Sequence, residues 1–170
     1  MKAQKHTLLI VDDDENQRFL AQHTFQALAT RYKVQLATNG EEAIAYLKGE
    51  GPFANRKKFE FPSYILTDLQ MSPGGGFHLL EFIKTHPALS IIPVVMLSSS
   101  EDADDIRQAY LLGASSFFVK PPSLSGLKAL LRKIHDYWTE CEVPEVDAEG
   151  YALPTRDTGR LGERYKKPKR

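Results

Sequence analysis

The sequence predicts an α/β fold in which one parallel sheet of five strands is covered by helices on both faces. Three observations predict it. Short runs rich in Val, Ile and Leu alternate with segments whose apolar residues recur at three-to-four spacing, from residue 6 to residue 138. The runs LLIV, YILT, VVML and FFV are almost continuously apolar, as strands buried on both faces must be. Each run leads into a residue able to handle phosphate or metal: Asp12 and Asp13, Asp68, Ser98 and Lys120. The carboxyl ends of strands in an open parallel sheet line one crevice, so these side chains are expected to meet there.

Taken in order, TLLIV (7–11) is the first strand, and 15–29 is a helix with Phe19, Leu20, Phe25 and Leu28 as its apolar positions. VQLA (34–37) is the second strand. Asn39-Gly40 turns into the helix EEAIAYLK, whose early glutamates suit a helix N-terminus. Residues 49–62 form a long polar connection in which Arg56, Lys57 and Lys58 read as a solvated turn. YILT (64–67) is the third strand, and MSPGGG (71–76) is a flexible turn into FHLLEFIK; its glycines lack the Lys-Ser/Thr of a P-loop. Pro93 introduces the fourth strand, VVMLS. Residues 101–112 are a helix with an acidic start, and SFFV (116–119) is the fifth strand. SLSGLKALLRKIHDYW (123–138) closes the fold as an amphipathic helix. Leu124, Leu127, Leu131, Ile134 and Trp138 form its core stripe, widened by Leu130 and Tyr137. Five strands joined in this way match the flavodoxin-like order 2-1-3-4-5, with its switch point between strands 1 and 3, where Asp12, Asp13 and Asp68 fall.

The 170 residues suffice for one domain of ordinary size, about 100–150 residues, with a segment to spare. The folded unit is expected to span 6–138. After Trp138 the chain carries Pro, Gly and charge without a sustained apolar period, so 139–170 is expected to be a mostly disordered polar tail, basic at its end. Twenty-two basic and 22 acidic residues leave a formal net charge of zero, and no global field recruits nucleic acid or an anionic membrane. The tail is too short and polar for a DNA-binding helix-turn-helix. The lone Cys141 excludes an intramolecular disulfide, and the five histidines show no ligand spacing. The N-terminal apolar run is too short for a signal peptide, and no stretch approaches the roughly 20 apolar residues of a membrane span. A cytoplasmic protein with no nucleic-acid or membrane partner is expected.

The strand-end cluster has a coherent chemistry. Mg²⁺ takes oxygen ligands in near-octahedral geometry, commonly one or two carboxylates with phosphate oxygens and waters. Asp13 and Asp68 can supply oxygens directly, Asp12 directly or through water, and a backbone carbonyl just past Asp68 can complete the protein's share. Asp68 can attack an incoming phosphoryl group as a nucleophile. Ser98 can donate to one phosphoryl oxygen, and Lys120 can neutralise another. Separately, Asp12 to Asp14 would read as an acidic helix N-terminus, Ser98 as a cap and Lys120 as a surface lysine. Their coincidence at successive strand ends favours a site.

These residues together resemble the receiver domain of the two-component response-regulator family, the CheY-like fold, over residues 6–138. LLIVDDDE resembles the family's first acidic motif, which implies Asp12 and Asp13 as Mg²⁺ ligands. YILTDLQM resembles the phosphoacceptor segment, implying Asp68 as the phosphorylated residue and a metal ligand, with the Gln70 carbonyl as the backbone ligand. VVMLSS and GASSFFVKPP place Ser98, and Lys120 with Pro121, at the family's Ser/Thr and Lys-Pro positions, where they assist phosphoryl transfer. Ser98 and Phe117 occupy the switch positions. Phe117 has no hydroxyl, so packing alone is expected to report the switch.

The resemblance implies a histidine kinase as phosphodonor and a downstream protein that the sequence does not name. The 49–62 connection and IHDYWTECEVP resemble single-domain regulators that partner bacterial phytochrome kinases. The widened stripe of the last helix fits either cover for the core beneath the tail or a homodimer through the fourth helix, fifth strand and fifth helix. The chain departs from the family in Met71-Ser72-Pro73-Gly74-Gly75-Gly76, where proline is displaced by one position. Gln70 and Ser100 fall where the family tunes phosphate lifetime. The chain would act as a phosphoacceptor, with only self-catalysed transfer and dephosphorylation, rather than as an enzyme. Two other readings stay open. A phosphohydrolase would use Asp12 or Asp13 as nucleophile, but Asp12-Asp13-Asp14-Glu15 lacks a clean Asp-x-Asp with Thr. A phosphorylation-independent adaptor would not need the full acidic set and Lys120.

Overall fold

A computed structural model describes residues 6–28, 32–144 and 146. Strands β1 (His6–Val11), β2 (Tyr32–Ala37), β3 (Tyr64–Thr67), β4 (Val94–Ser98) and β5 (Ser116–Val119) form one parallel sheet in the order β2-β1-β3-β4-β5. Between and after them run helices α1 (Glu15–Leu28), α2 (Gly40–Lys48), α3 (Gly76–Thr85), α4 (Ala103–Leu111) and α5 (Leu124–Glu140). The expected fold class and strand order are both found.

Alternation along the strands splits the core in two. Leu8, Ile10, Tyr64, Leu66, Val95 and Leu97 face α1 and α5. Leu9, Val11, Ile65, Val94 and Met96 face α2 and α3, with Ala109 of α4. Among the described residues no helix is long and apolar enough to cross a membrane.

Capping side chains set several helix starts. Asn39 accepts from the Glu42 amide to begin α2, Asp102 from Asp104 to begin α4, and Ser123 from Gly126 to begin α5. Two expected core positions lie outside the core. Phe19 is 60 % exposed, and α1 buries Ala21, Thr24 and Phe25 instead. Phe19 and Phe25 are six residues apart, roughly 120° around the helix, and cannot share a face. Leu124 has the angular position of Leu131 but opens α5 one residue past its cap, and stays 73 % exposed. Periodicity sets an angle and says nothing of depth along the axis. Leu127, Leu131, Ile134 and Trp138 are buried as expected, whereas Tyr137 is 64 % exposed. Helix α5 continues two residues past Trp138, and Cys141, Val143 and Val146 pack on the core. The rest of the expected tail, 145 and 147–170, lies outside the described residues.

The 49–62 connection is not the plain polar linker expected. It contains a 3-10 turn, Gly51–Phe53, and its aromatic residues pack on α2, with Phe53 and Phe59 rings 5.3 and 5.9 Å from Tyr46. The Tyr46 hydroxyl donates to the Glu60 carbonyl at 2.6 Å, and burial pushes its phenol well above the ordinary value. Arg56 is no solvated turn residue. Its guanidinium donates to the carbonyls of Tyr46, Leu47 and Phe59 at 2.7, 2.6 and 3.0 Å and lies 4.0 Å from the Phe61 ring centre. It thereby adds a donor to carbonyls in the last turn of α2, where the Gly49 amide already reaches Tyr46, and supplies one to Leu47.

Candidate functional site

The register keeps the strand ends in step: Val11 pairs with Thr67, and Thr67 with Met96. Asp12 and Asp68 therefore leave the sheet side by side, and the Asp68 amide donates to the Val11 carbonyl at 2.9 Å. One strand further, the Lys120 amide donates to the Ser98 carbonyl at 2.7 Å. This holds Lys120 where its side chain can cross the ends of β4 and β3. Its ammonium stands 2.8 Å from Asp12 Oδ2 and 3.1 Å from Asp68 Oδ2, with the side chain 6 % exposed. The floor beneath is apolar, with Ile10, Leu66, Leu97, Leu127 and Leu131 lining the small void that reaches both carboxylates.

Burial has an electrostatic consequence. The Asp68 carboxyl is held above the usual range chiefly by loss of water, and the Asp12 charge adds to the effect. The Lys120 ammonium and the Leu69 amide, which donates to Asp68 Oδ1 at 2.6 Å, pull the other way without cancelling it. Asp13 is exposed at the rim. One oxygen each from Asp12, Asp13 and Asp68 lie within 4.8 Å of one another. An all-oxygen, carboxylate-rich set of this size suits a hard divalent cation such as Mg²⁺ or Mn²⁺. Gln70 follows directly, its side chain exposed and its amide 3.4 Å from Asp68 Oδ1.

The third aspartate of the acidic run does separate work. Asp14 Oδ1 accepts from the amides of Asn16 and Gln17, at 2.8 and 3.1 Å, and caps α1. Arg18, which the sequence did not single out, donates to the Asp12 carbonyl at 2.7 Å and fixes the turn carrying the acidic pair. In the turn at 71–76 Ser72 and Pro73 are exposed, while the glycines meet other main chain closely. A Cβ on Gly76 would lie 2.3 Å from the Asp68 carbonyl oxygen, and one on Gly75 3.1 Å from the Leu69 oxygen. Gly74 takes φ +70° and meets the first turn of α2. Close approach thus requires glycine at 76, and the positive φ favours it at 74.

Ser98 and Phe117 are not joined to the ion pairs. Ser98 is fully buried at the end of β4, and its Oγ accepts from the Ser100 amide at 3.1 Å. Phe117 is partly buried against the α2/α3 side of the core. Its amide donates to the hydroxyl of Tyr110, on α4, at 3.3 Å. The Tyr110 hydroxyl thus meets the main chain of Phe117, not the place of its side chain.

Residues 8–132 match the family model of the response regulator receiver domain. The chain belongs to this receiver family. The receiver is 31 % identical over 132 residues to the probable methanogenesis regulatory protein FilR2 of Methanothrix harundinacea, covering 77 % of this chain and 82 % of that one. The crystal structure of the phosphorylated cyanobacterial phytochrome response regulator RcpA superimposes with a TM-score of 0.77 at 32 % identity, covering 82 % of this chain and 99 % of RcpA. The Mn²⁺-bound form of response regulator Rcp1, a protein of Synechocystis sp., gives a TM-score of 0.76 at 27 % identity, with 82 % and 99 % covered. Receiver membership makes this a protein of two-component signalling.

Proposed function

We propose that this receiver accepts a phosphoryl group from a histidine kinase onto Asp68 in the presence of Mg²⁺. The observation that carries the reading is the shared, buried ammonium: Lys120 lies within 3.1 Å of both Asp12 and Asp68, beside the exposed Asp13. Asp12, Asp13, Asp68 and the Gln70 carbonyl would hold the cation, which when bound withdraws charge from the phosphoryl oxygens. In the transfer, the bond between an Asp68 oxygen and phosphorus forms as the phosphorus–nitrogen bond of the donor phosphohistidine breaks. Lys120 compensates the charge gathered on the phosphoryl oxygens. Ser98 turns its hydroxyl proton toward one of them, and Phe117 repacks behind it.

The likeness to RcpA and Rcp1 supports a phytochrome-like kinase as the donor. The output face consists of α4, β5 and α5, where Tyr110, Leu111, Leu124 and Tyr137 are exposed; a second copy or a downstream protein is read there. A cytoplasmic location follows from such a kinase partner.

Incubation with Mg²⁺ and acetyl phosphate tests the reading. An acid-stable, base-labile acyl phosphate that disappears in Asp68→Asn is the expected result. Hydrolysis of the donor that survives Asp68→Asn would mark a phosphohydrolase, and no label at all would mark a phosphorylation-independent adaptor. Light scattering before and after labelling tests the homodimer, and an unchanged monomer overturns it.

A further inference from the structure

The two switch positions are tied to the same helix at its two ends. At the N-terminal end, the Ser100 hydroxyl donates to Asp105 Oδ2 at 2.6 Å and accepts from the Asp102 amide at 3.2 Å. Both bonds fix the turn that presents the Ser100 amide to Ser98 Oγ at 3.1 Å. A 2.6 Å hydroxyl-to-carboxylate bond lies in the short, charge-assisted range, the strongest class available to neutral donors. At the C-terminal end, the Tyr110 hydroxyl accepts from the Phe117 amide at 3.3 Å. Strand β5 is the edge of the sheet, so that amide has no strand beyond it to pair with.

We infer that Asp105 and Tyr110 are positioning residues that clasp Ser98 and Phe117 in the resting arrangement, with α4 as the rigid link between them. The inference rests on the phosphoacceptor reading and names how that site is regulated. While the Asp105 clasp is closed, the Ser98 oxygen is occupied by the Ser100 amide and turned to the β4–α4 turn. Moving Ser98 toward a phosphoryl group on Asp68 requires the Ser100 turn to give way, and Asp105 resists this. Opening it frees the first turn of α4, and the helix carries that displacement to Tyr110 and the Phe117 amide. Neither Asp105 nor Tyr110 touches the acidic cluster, so both act only through Ser100 and Phe117.

Titration of the full chain with beryllofluoride and Mg²⁺ tests the clasp. Asp105→Ala should lower the half-saturating concentration about fivefold, because a charge-assisted bond holding the resting form is lost. Asp105→Asn keeps an acceptor for the Ser100 hydroxyl and should stay within about twofold of the parent. Ser100→Ala removes the same bond from the other side, so the double variant should shift no further than either single one. Tyr110→Phe should speed hydrogen exchange at the Phe117 amide by about tenfold in the resting protein. A half-saturation unmoved by Asp105→Ala, or single effects that add, would overturn the clasp at Ser98. Unchanged Phe117 exchange in Tyr110→Phe would overturn it at β5. If the parent protein does not saturate with beryllofluoride at all, the phosphoacceptor reading fails, and the clasp with it.

Discussion

The Gly40 amide donates to the Gly74 carbonyl at 2.8 Å, and a Cβ built on Gly40 would lie 2.0 Å from that same oxygen. Backbone meets backbone here, with no side chain able to swing aside. The turn that follows Asp68 and Gln70 is therefore seated on the first turn of α2. Beside it, a Glu41–His78 contact at 3.2 Å joins α2 to the first turn of α3, although both side chains are more than half exposed.

Gly40→Ala should cost about 2–3 kcal/mol of stability, since the contact can be relieved only by moving main chain. Urea denaturation would measure this. The same variant should reduce acyl-phosphate yield from acetyl phosphate, because the displaced turn carries the Gln70 carbonyl. Parent-like stability would show that the two loops part freely.

Asp68→Asn should melt higher than the parent protein at neutral pH in EDTA. Burial raises the Asp68 carboxyl in the folded state. A carboxyl raised on folding contributes stability below its unfolded value and loses that contribution as pH rises through the folded value. The amide carries no such loss. The gap between the two melting curves should close as the buffer is made acidic, and calorimetry across that range checks the sign.

Lys120→Met leaves two neighbouring buried carboxylates without their shared cation. Its cost should be about 3 kcal/mol in EDTA, partly recovered on adding Mg²⁺. Labelling of Asp68 by acetyl phosphate should fall about a hundredfold, as expected when a preplaced positive charge is removed from a transfer site. Thermal melts with and without Mg²⁺, alongside a labelling time course, separate the two effects.

Arg56→Met should destabilise by about 2 kcal/mol, because the Leu47 and Phe59 carbonyls lose the guanidinium, while Tyr46 keeps a backbone donor, the Gly49 amide. Arg56→Lys should recover little, because one ammonium cannot reproduce the planar fork that reaches Tyr46, Leu47 and Phe59 together. Limited proteolysis within 49–62 should accelerate in both variants.

The strands at 64–67, 94–98 and 116–119 were legible to the residue, because apolar runs with turn chemistry at both ends leave little choice of register. The meeting of Asp12, Asp68 and Lys120 was legible for a related reason: parallel strands bring their carboxyl ends to one edge. Arg56 was not legible. Its partners are main-chain carbonyls, which every residue possesses, so its neighbours in the sequence carry no trace of the contact. Phe19 and Leu124 misled because apolarity does not say whether a helix has anything beside it at that point. Tyr110 was missed because its hydroxyl meets a backbone amide seven residues away, a pairing that no motif encodes.

Trp138 stacks on Tyr64 with ring centres 5.1 Å apart and planes 14° from parallel. Tyr64 begins the strand whose far end leads to Asp68, four residues or roughly 13 Å away. The protein's lone indole therefore reads one event and is remote from the other. Its emission should change sharply when the α5–sheet contact comes apart and stay nearly constant when ligands enter the acidic crevice. Unfolding can then be followed by intrinsic fluorescence in the presence of metal, without the optical signal of one process contaminating the other.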